Sequence, residues 1–96
     1  MTKPGYVYLM ASRYRGKTYL GVTSNLRKRA FEHREKIVDG YSKENGCVLL
    51  VWFEKHDDIQ DARAQEWKFK KWRRSWKLAL IEERNPDWQD LFDAVV

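Results

Sequence analysis

Residues 5–11, Gly-Tyr-Val-Tyr-Leu-Met-Ala, alternate from side to side, with Tyr6, Tyr8 and Met10 on one face of an extended segment and Val7, Leu9 and Ala11 on the other. Residues 17–22 repeat the pattern, setting Tyr19 and Gly21 opposite Leu20 and Val22. Ser12-Arg13-Tyr14-Arg15-Gly16 lies between them and reads as a turn, Gly16 supplying a positive φ. A four-residue loop at 12–15 predicts an antiparallel hairpin with Tyr8 directly opposite Tyr19. Thr23-Ser24-Asn25 then offers helix-capping side chains for a helix over about 25–37, with Leu26, Ala30 and Ile37 on its apolar stripe and His33 near the middle of it. Asp39-Gly40 marks its end.

The period changes again at 47–53, Cys-Val-Leu-Leu-Val-Trp-Phe, an almost unbroken apolar run that reads as a central strand buried on both faces. Asp57 or Asp58 caps a second helix reaching about residue 74, with Ile59, Ala62, Phe69, Trp72 and Trp76 as its stripe and Glu66 on the border. Residues 75–83 read as a further helix or a bent continuation of the same one, Asn85-Pro86 interrupts, and residues 87–92 make a last helical turn or two. The order β-β-α-β-α-α predicts a small single α/β (α+β) domain over residues 1–96, a three-stranded, mainly antiparallel sheet flanked by helices.

Composition narrows the class. With 96 residues, 43% of them hydrophobic and 15% aromatic, the chain suits one packed domain and not a disordered polymer. A lone Cys47 allows no internal disulfide and no cysteine-rich zinc site. The longest apolar run, Val48–Phe53, falls far short of a membrane span, and Met1–Gly5 has no signal-peptide character, so a cytoplasmic protein is expected.

The net charge of +5 is unevenly placed. Residues 13–36 carry +6 and residues 63–77 another +6, while 37–62 and 78–96 carry −4 each. A single charge run is usually a solvated helix face. Two runs interleaved with Trp67, Trp72 and Trp76 set beside that reading a second one of equal weight, a field attractive to a polyanion. Arg13, Arg15, Lys17, Arg27, Lys28, Lys70 and Arg73 are the candidate contacts to its phosphates.

The candidate chemistry is sparse. Arg29 and His33, four apart, project from one helix face, and Glu66 is the single acid of the second basic block. Tyr6-Val7-Tyr8, ten residues, then Tyr19-Leu20-Gly21 resembles the paired signature of the GIY-YIG nuclease superfamily. The likeness continues with Arg29 ten residues beyond Tyr19, His33 one turn later, Glu66 opening Glu66-Trp67-Lys68-Phe69, and Asn85 in Asn85-Pro86. It covers about residues 4–92 and is similar to the small standalone bacterial members. Tyr6 stands where the family has glycine, and Val22 where some members have lysine.

The resemblance implies a metal-dependent DNA endonuclease, serving in DNA repair or recombination, with Tyr8, Tyr19, Arg29, His33 and Glu66 as its catalytic set. Glu66 is then the ligand of one divalent ion, Mg²⁺ or Mn²⁺, with Gly21 and Asn85 supporting. Arg29 suits a fixed bidentate cation for phosphate oxygens. Tyr8 or His33 serves as base: a free phenol with a pKa of about 10 is scarcely ionised at pH 7, whereas histidine titrates near about 6.5. A non-catalytic nucleic-acid-binding module of the same fold is the alternative.

Overall fold

The computed structural model describes residues 3–95; Met1, Thr2 and Val96, the ends of the expected domain, lie outside the described residues. Strand β1 (Gly5–Ala11) is followed by β2 (Thr18–Thr23), helix α1 (Leu26–Arg34), the one-turn helix α2 (Tyr41–Glu44), β3 (Leu49–His56), α3 (Ile59–Lys70), α4 (Arg74–Arg84) and a 3₁₀ turn at Phe92–Ala94. The α+β architecture and the predicted order of its main elements are those of the sequence reading, with α2 added. The strands form one antiparallel sheet in the order β2-β1-β3, so β1 is central and the apolar run of β3 is an edge.

Two features explain how an edge strand comes to be so apolar. The register shifts between Leu9 and Met10, where Leu9 faces Trp52 but Met10 faces Leu50, and the bulge puts Val51 and Trp52 into one core layer and Leu50 into the other. Beyond the bulge the C-terminal segment covers the strand. Leu91 N–H donates to the Leu50 carbonyl at 2.7 Å, and the Asp90 carboxylate accepts from Leu50 N–H at 3.2 Å. The exposed backbone an edge strand presents is thereby partnered from within the chain.

The alternation of β1 divides the interior into two layers. Val7, Leu9 and Ala11 pack with Ala62 and Phe69 of α3 and Ile81 of α4, the rear layer. Tyr8 and Met10 pack with Leu26 and Ala30 of α1, Cys47, Leu50 and Val95, the front layer. Helix ends follow local chemistry: Asn25 Oδ1 accepts from Lys28 N–H at 3.2 Å and Asp58 Oδ1 from Gln60 N–H at 2.9 Å. Helix α1 stops three residues early because Lys36 takes a left-handed backbone, φ 57°, which leaves Ile37 59% exposed and outside the core. The second helix ends at Lys70 instead of about 74, so Phe69 is the last residue of its inner stripe; Trp72 lies in the break before α4, and Trp76 is exposed on α4. The last helical turn forms at 92–94 instead of 87–92.

The hairpin register differs from the expected one by two residues. Tyr8 faces Gly21 and Met10 faces Tyr19, because the connection runs through residues 12–17 and takes its left-handed residue at Arg15 (φ 51°) rather than at Gly16. A slip of two preserves the face, so both tyrosines still look toward α1. It also sets the Tyr8 ring on bare backbone: a Cβ on Gly21 would fall 2.5 Å from both Cζ and Oη of Tyr8.

Asn85, at the end of α4, is buried and fully engaged. Its Nδ2 donates to the carbonyls of Val51 (3.1 Å) and Gln89 (2.9 Å), and its Oδ1 accepts from Gln89 N–H (3.0 Å). It is a clamp on the segment that covers β3.

Two substitutions test this account. Asn85→Ala leaves several buried backbone groups unpaired and is expected to cost about 2–3 kcal/mol in denaturant unfolding. Gly21→Ala drives the Tyr8 ring from its seat and is expected to cost about 1–3 kcal/mol, with a displaced Tyr8 ring signal in NMR spectra.

Candidate active site

Strand alternation and helix α1 meet on the front face. Tyr8 of β1, Tyr19 of β2 and His33 of α1 form a triangle of rings, with centroids 6.4 Å apart for Tyr8–Tyr19, 5.6 Å for Tyr8–His33 and 5.0 Å for Tyr19–His33. The Tyr8 hydroxyl lies 2.9 Å from His33 Nε2, both side chains being buried. His33 Nδ1 lies 2.8 Å from Ser42 Oγ on α2. One turn before His33, Arg29 reaches the same place, its Nη1 donating to Glu32 Oε1 at 3.3 Å while its side chain stays 40% exposed. Tyr8 and His33 are held inside, Tyr19 is partly buried and the guanidinium stands at the mouth.

The electrostatics follow from that placement. Burial pushes the Tyr8 phenol far above its ordinary value and Tyr19 adds to the shift, while the neighbouring Arg29 guanidinium acts in the opposite sense. Burial, reinforced by Arg29, pulls His33 down to about 4, Glu32 opposing. At neutral pH the site therefore holds a neutral phenol bonded to a neutral imidazole beside a permanent cation.

In front of Arg29 lies an open cleft of about 230 Å³ lined by Val22, Thr23, Ser24, Asn25, Lys28, Arg29 and Glu32. It sits where β2 passes into the N-terminus of α1, whose first turn carries no acid. The helix N-terminus together with Lys28 and Arg29 makes this a place where a phosphate is favoured. Val22 lines the cleft without charge. Thr23 and Ser24 were legible in the sequence only as capping residues, and Ser42 gave no signal, since a single helical turn after Gly40 has no periodicity to read.

Glu66 stands elsewhere. It belongs to α3, which packs on the rear of β1 and of the edge strand β2, so one layer of backbone separates its helix from the ring triangle. Its carboxylate, 16% exposed, pairs with Lys70 Nζ at 3.4 Å, and the Lys70 side chain is 59% exposed. Among the described residues no group of three or more His, Cys, Asp or Glu is gathered to hold a metal. A hard cation such as Mg²⁺ keeps most of its waters and takes one or two carboxylates, so a half-buried Glu66 with a displaceable partner fits such an ion.

The structure spreads the basic candidates over several tasks. Lys28 is exposed at the cleft, and Arg13 is exposed on the β1–β2 loop. That loop lies at the far end of the hairpin, about 17 Å from the cleft at the usual strand rise. On it, Arg15 makes a two-pronged pair with Glu82 of α4, at 2.7 and 2.8 Å. This pairing, with the Trp88 indole N–H as third donor, holds the Glu82 carboxyl down at about 2. Lys17 Nζ donates to Asn45 Oδ1, and Arg27 donates to the Val95 carbonyl and covers the Phe92 ring. Lys70 pairs with Glu66, and Arg73 lies over Trp76. Trp67 is 63% exposed under Lys71 and so is no part of the helix packing. Asn85 makes all its side-chain bonds to Val51 and Gln89.

Burial of neutral His33 ties stability to pH. A group whose folded pKa lies below its unfolded one contributes in full above about 6.5, and the contribution is lost as pH falls toward about 4. His33→Gln is expected to flatten that part of the stability curve, by up to about 3 kcal/mol between pH 7 and pH 4. Parallel chemical-denaturation series for the two proteins measure the difference.

The chain matches the model of the GIY-YIG catalytic domain over residues 4–79. Similar proteins include a UPF0213 protein of Clostridium perfringens, 34% identical over 80 residues that make up 83% of this chain and 85% of the relative. A UPF0213 protein of Staphylococcus haemolyticus is 32% identical over 82% of this chain and 95% of its own. One of Bacillus pumilus is 30% identical over 86% and 85% respectively. No solved structure matches the chain at a significant level. Among the described residues no helix is long and apolar enough to cross a membrane. With its tyrosines, Gly21 and Arg29 all inside the matched span, the chain belongs to the GIY-YIG family, whose nucleases act on DNA.

Proposed function

We propose that this protein is a divalent-metal-dependent endonuclease that hydrolyses DNA phosphodiester bonds, in repair or recombination. The observation that carries the reading is the buried Tyr8–His33 hydrogen bond beside the half-exposed Arg29 guanidinium. That arrangement puts a proton acceptor and a phosphate-binding cation within reach of one another at the edge of a basic cleft.

Each residue has a task set by its chemistry. Arg29 and Lys28, with the first N–H groups of α1, bind the scissile phosphate and offset charge that grows at phosphorus. Tyr8 Oη takes a proton from the attacking water while its own proton moves to His33 Nε2, so no buried tyrosinate forms. A bound phosphodiester cancels the Arg29 charge, which is one of the two causes depressing His33. The acceptor is therefore strengthened by the substrate itself. Tyr19, packed on the His33 ring, keeps the imidazole facing Tyr8. Glu66 is the residue to hold the divalent ion, which supplies positive charge for the leaving oxygen. The exposed basic residues grip the backbone without reading sequence.

Cleavage of plain, nicked and branched DNA with Mg²⁺ or Mn²⁺ tests the assignment. Arg29→Ala and Glu66→Ala are each expected to lower the single-turnover rate at least about 100-fold, and chelation of the metal to abolish it. DNA affinity falls steeply between low and moderate salt. Binding with no cutting by the wild-type protein identifies a non-catalytic DNA-binding module instead.

A further inference from the structure

The His33 ring has a second partner that nothing in the catalytic reading uses. Ser42 is buried on α2, 2.8 Å from Nδ1, and its hydroxyl also lies 3.3 Å from the Cys47 carbonyl. A serine hydroxyl has one hydrogen, and a carbonyl can only accept. With that hydrogen given to Cys47, Ser42 Oγ can meet the imidazole only as an acceptor. Nδ1 must then carry the ring proton. A neutral imidazole with its proton on Nδ1 has a bare Nε2, the atom 2.9 Å from Tyr8 Oη. The whole chain acquires one direction: Tyr8 O–H to Nε2, Nδ1–H to Ser42 Oγ, and Ser42 O–H to the carbonyl of Cys47.

The reverse polarity disables the pair. If Nε2 held the proton it would donate to Tyr8 Oη and could not receive the phenol's own hydrogen. We propose that Ser42 is a positioning residue that fixes His33 in the Nδ1–H form and so makes Tyr8 able to pass its proton inward. The proposal rests on the nuclease reading and adds to it the device that orients its base. In the step it governs, water loses one proton to Tyr8 Oη, and Tyr8 loses one to Nε2. The oxygen so freed bonds to phosphorus as the P–O bond to the leaving group breaks. A solvent water gives the departing oxygen its proton and the imidazolium proton passes back through Tyr8 to solvent, leaving a phosphomonoester and an alcohol.

The scaffold around Ser42 is built to hold this orientation. Cys47 N–H donates to the Ser42 carbonyl at 2.9 Å, Asn45 N–H and Nδ2 both donate to the Tyr41 carbonyl at 2.9 Å, and Gly46 supplies a left-handed turn at φ 64°. Lys17 Nζ on Asn45 Oδ1 at 2.8 Å anchors the same loop to the hairpin. Ser42 and Cys47 thus form one unit, locked independently of His33. The other groups facing the imidazole are Tyr8 from β1, Tyr19 from β2, and Arg29 and Glu32 from its own helix.

The test is a spectroscopic one with a kinetic arm. In ¹⁵N–¹H spectra at pH 7.5 the wild-type His33 ring is expected to be protonated on Nδ1, and Ser42→Ala to shift it to Nε2–H. Single-turnover cleavage by Ser42→Ala is expected to fall roughly 10–100-fold, part of the 10²–10⁴ that positioned proton transfer supplies. DNA affinity should be unchanged, and Ser42→Thr, which keeps the hydroxyl, should restore both the tautomer and the rate. A wild-type ring protonated on Nε2 overturns the proposal even if no variant folds. An Ala variant that keeps both the Nδ1–H form and the wild-type rate overturns it as well. A wild-type Nδ1–H ring in a protein that cuts no DNA overturns the nuclease reading while leaving the control of the tautomer by Ser42 in place.

Discussion

The placement of the Tyr8 ring on the bare backbone of Gly21 governs what the rest of this small protein can do. The ring needs that gap because it is pressed from the other side by α1, and because its hydroxyl must arrive within hydrogen-bond reach of His33. Burial makes the phenol a poor acid and the imidazole a weak base. Each then suits the other as a neutral partner, and the pair holds a transferable proton without holding a charge. Arg29, outside the seal, carries the positive charge that the interior does not tolerate.

A three-stranded sheet is a thin partition, and the division of labour across it follows from the period of two in β1. Odd residues pack a rear layer with α3 and α4, and even residues build the front layer that contains the tyrosines. The acid on α3 and the rings on the front are therefore assigned to opposite sides by the strand itself, with β2 between them as the edge they flank.

Much of this was legible in the chain. Alternation in residues 5–11 and 17–22 gave the hairpin and the face of both tyrosines, because parity survives an error of two in register even though the turn length did not follow from its composition. The spacing of Leu26, Ala30 and His33 placed the histidine inward, whereas Ile37 escaped because Lys36 adopts a left-handed backbone that lysine composition does not announce. The run at 47–53 looked central because a bulge and a distant C-terminal segment bury it, both long-range effects. Ser42 was invisible for a similar reason. Its significance lies in a bond to a residue nine positions earlier, made by a helix too short to show a pattern. The tie between Arg15 and Glu82, 67 residues apart, could not be read from a local charge run at all.

The segment from Asn85 to Val95 passes from the rear layer around the border of β3 and ends in the front layer, where Val95 packs with Tyr8 and Met10, the product of the first strand made. The first strand and this closing segment are thus neighbours, a contact between residues far apart in sequence. The front layer lacks one of its walls until this segment docks. Lifting of this segment from β3 would open the front layer beside Tyr8 while the pairing of β1 with β2 stays intact.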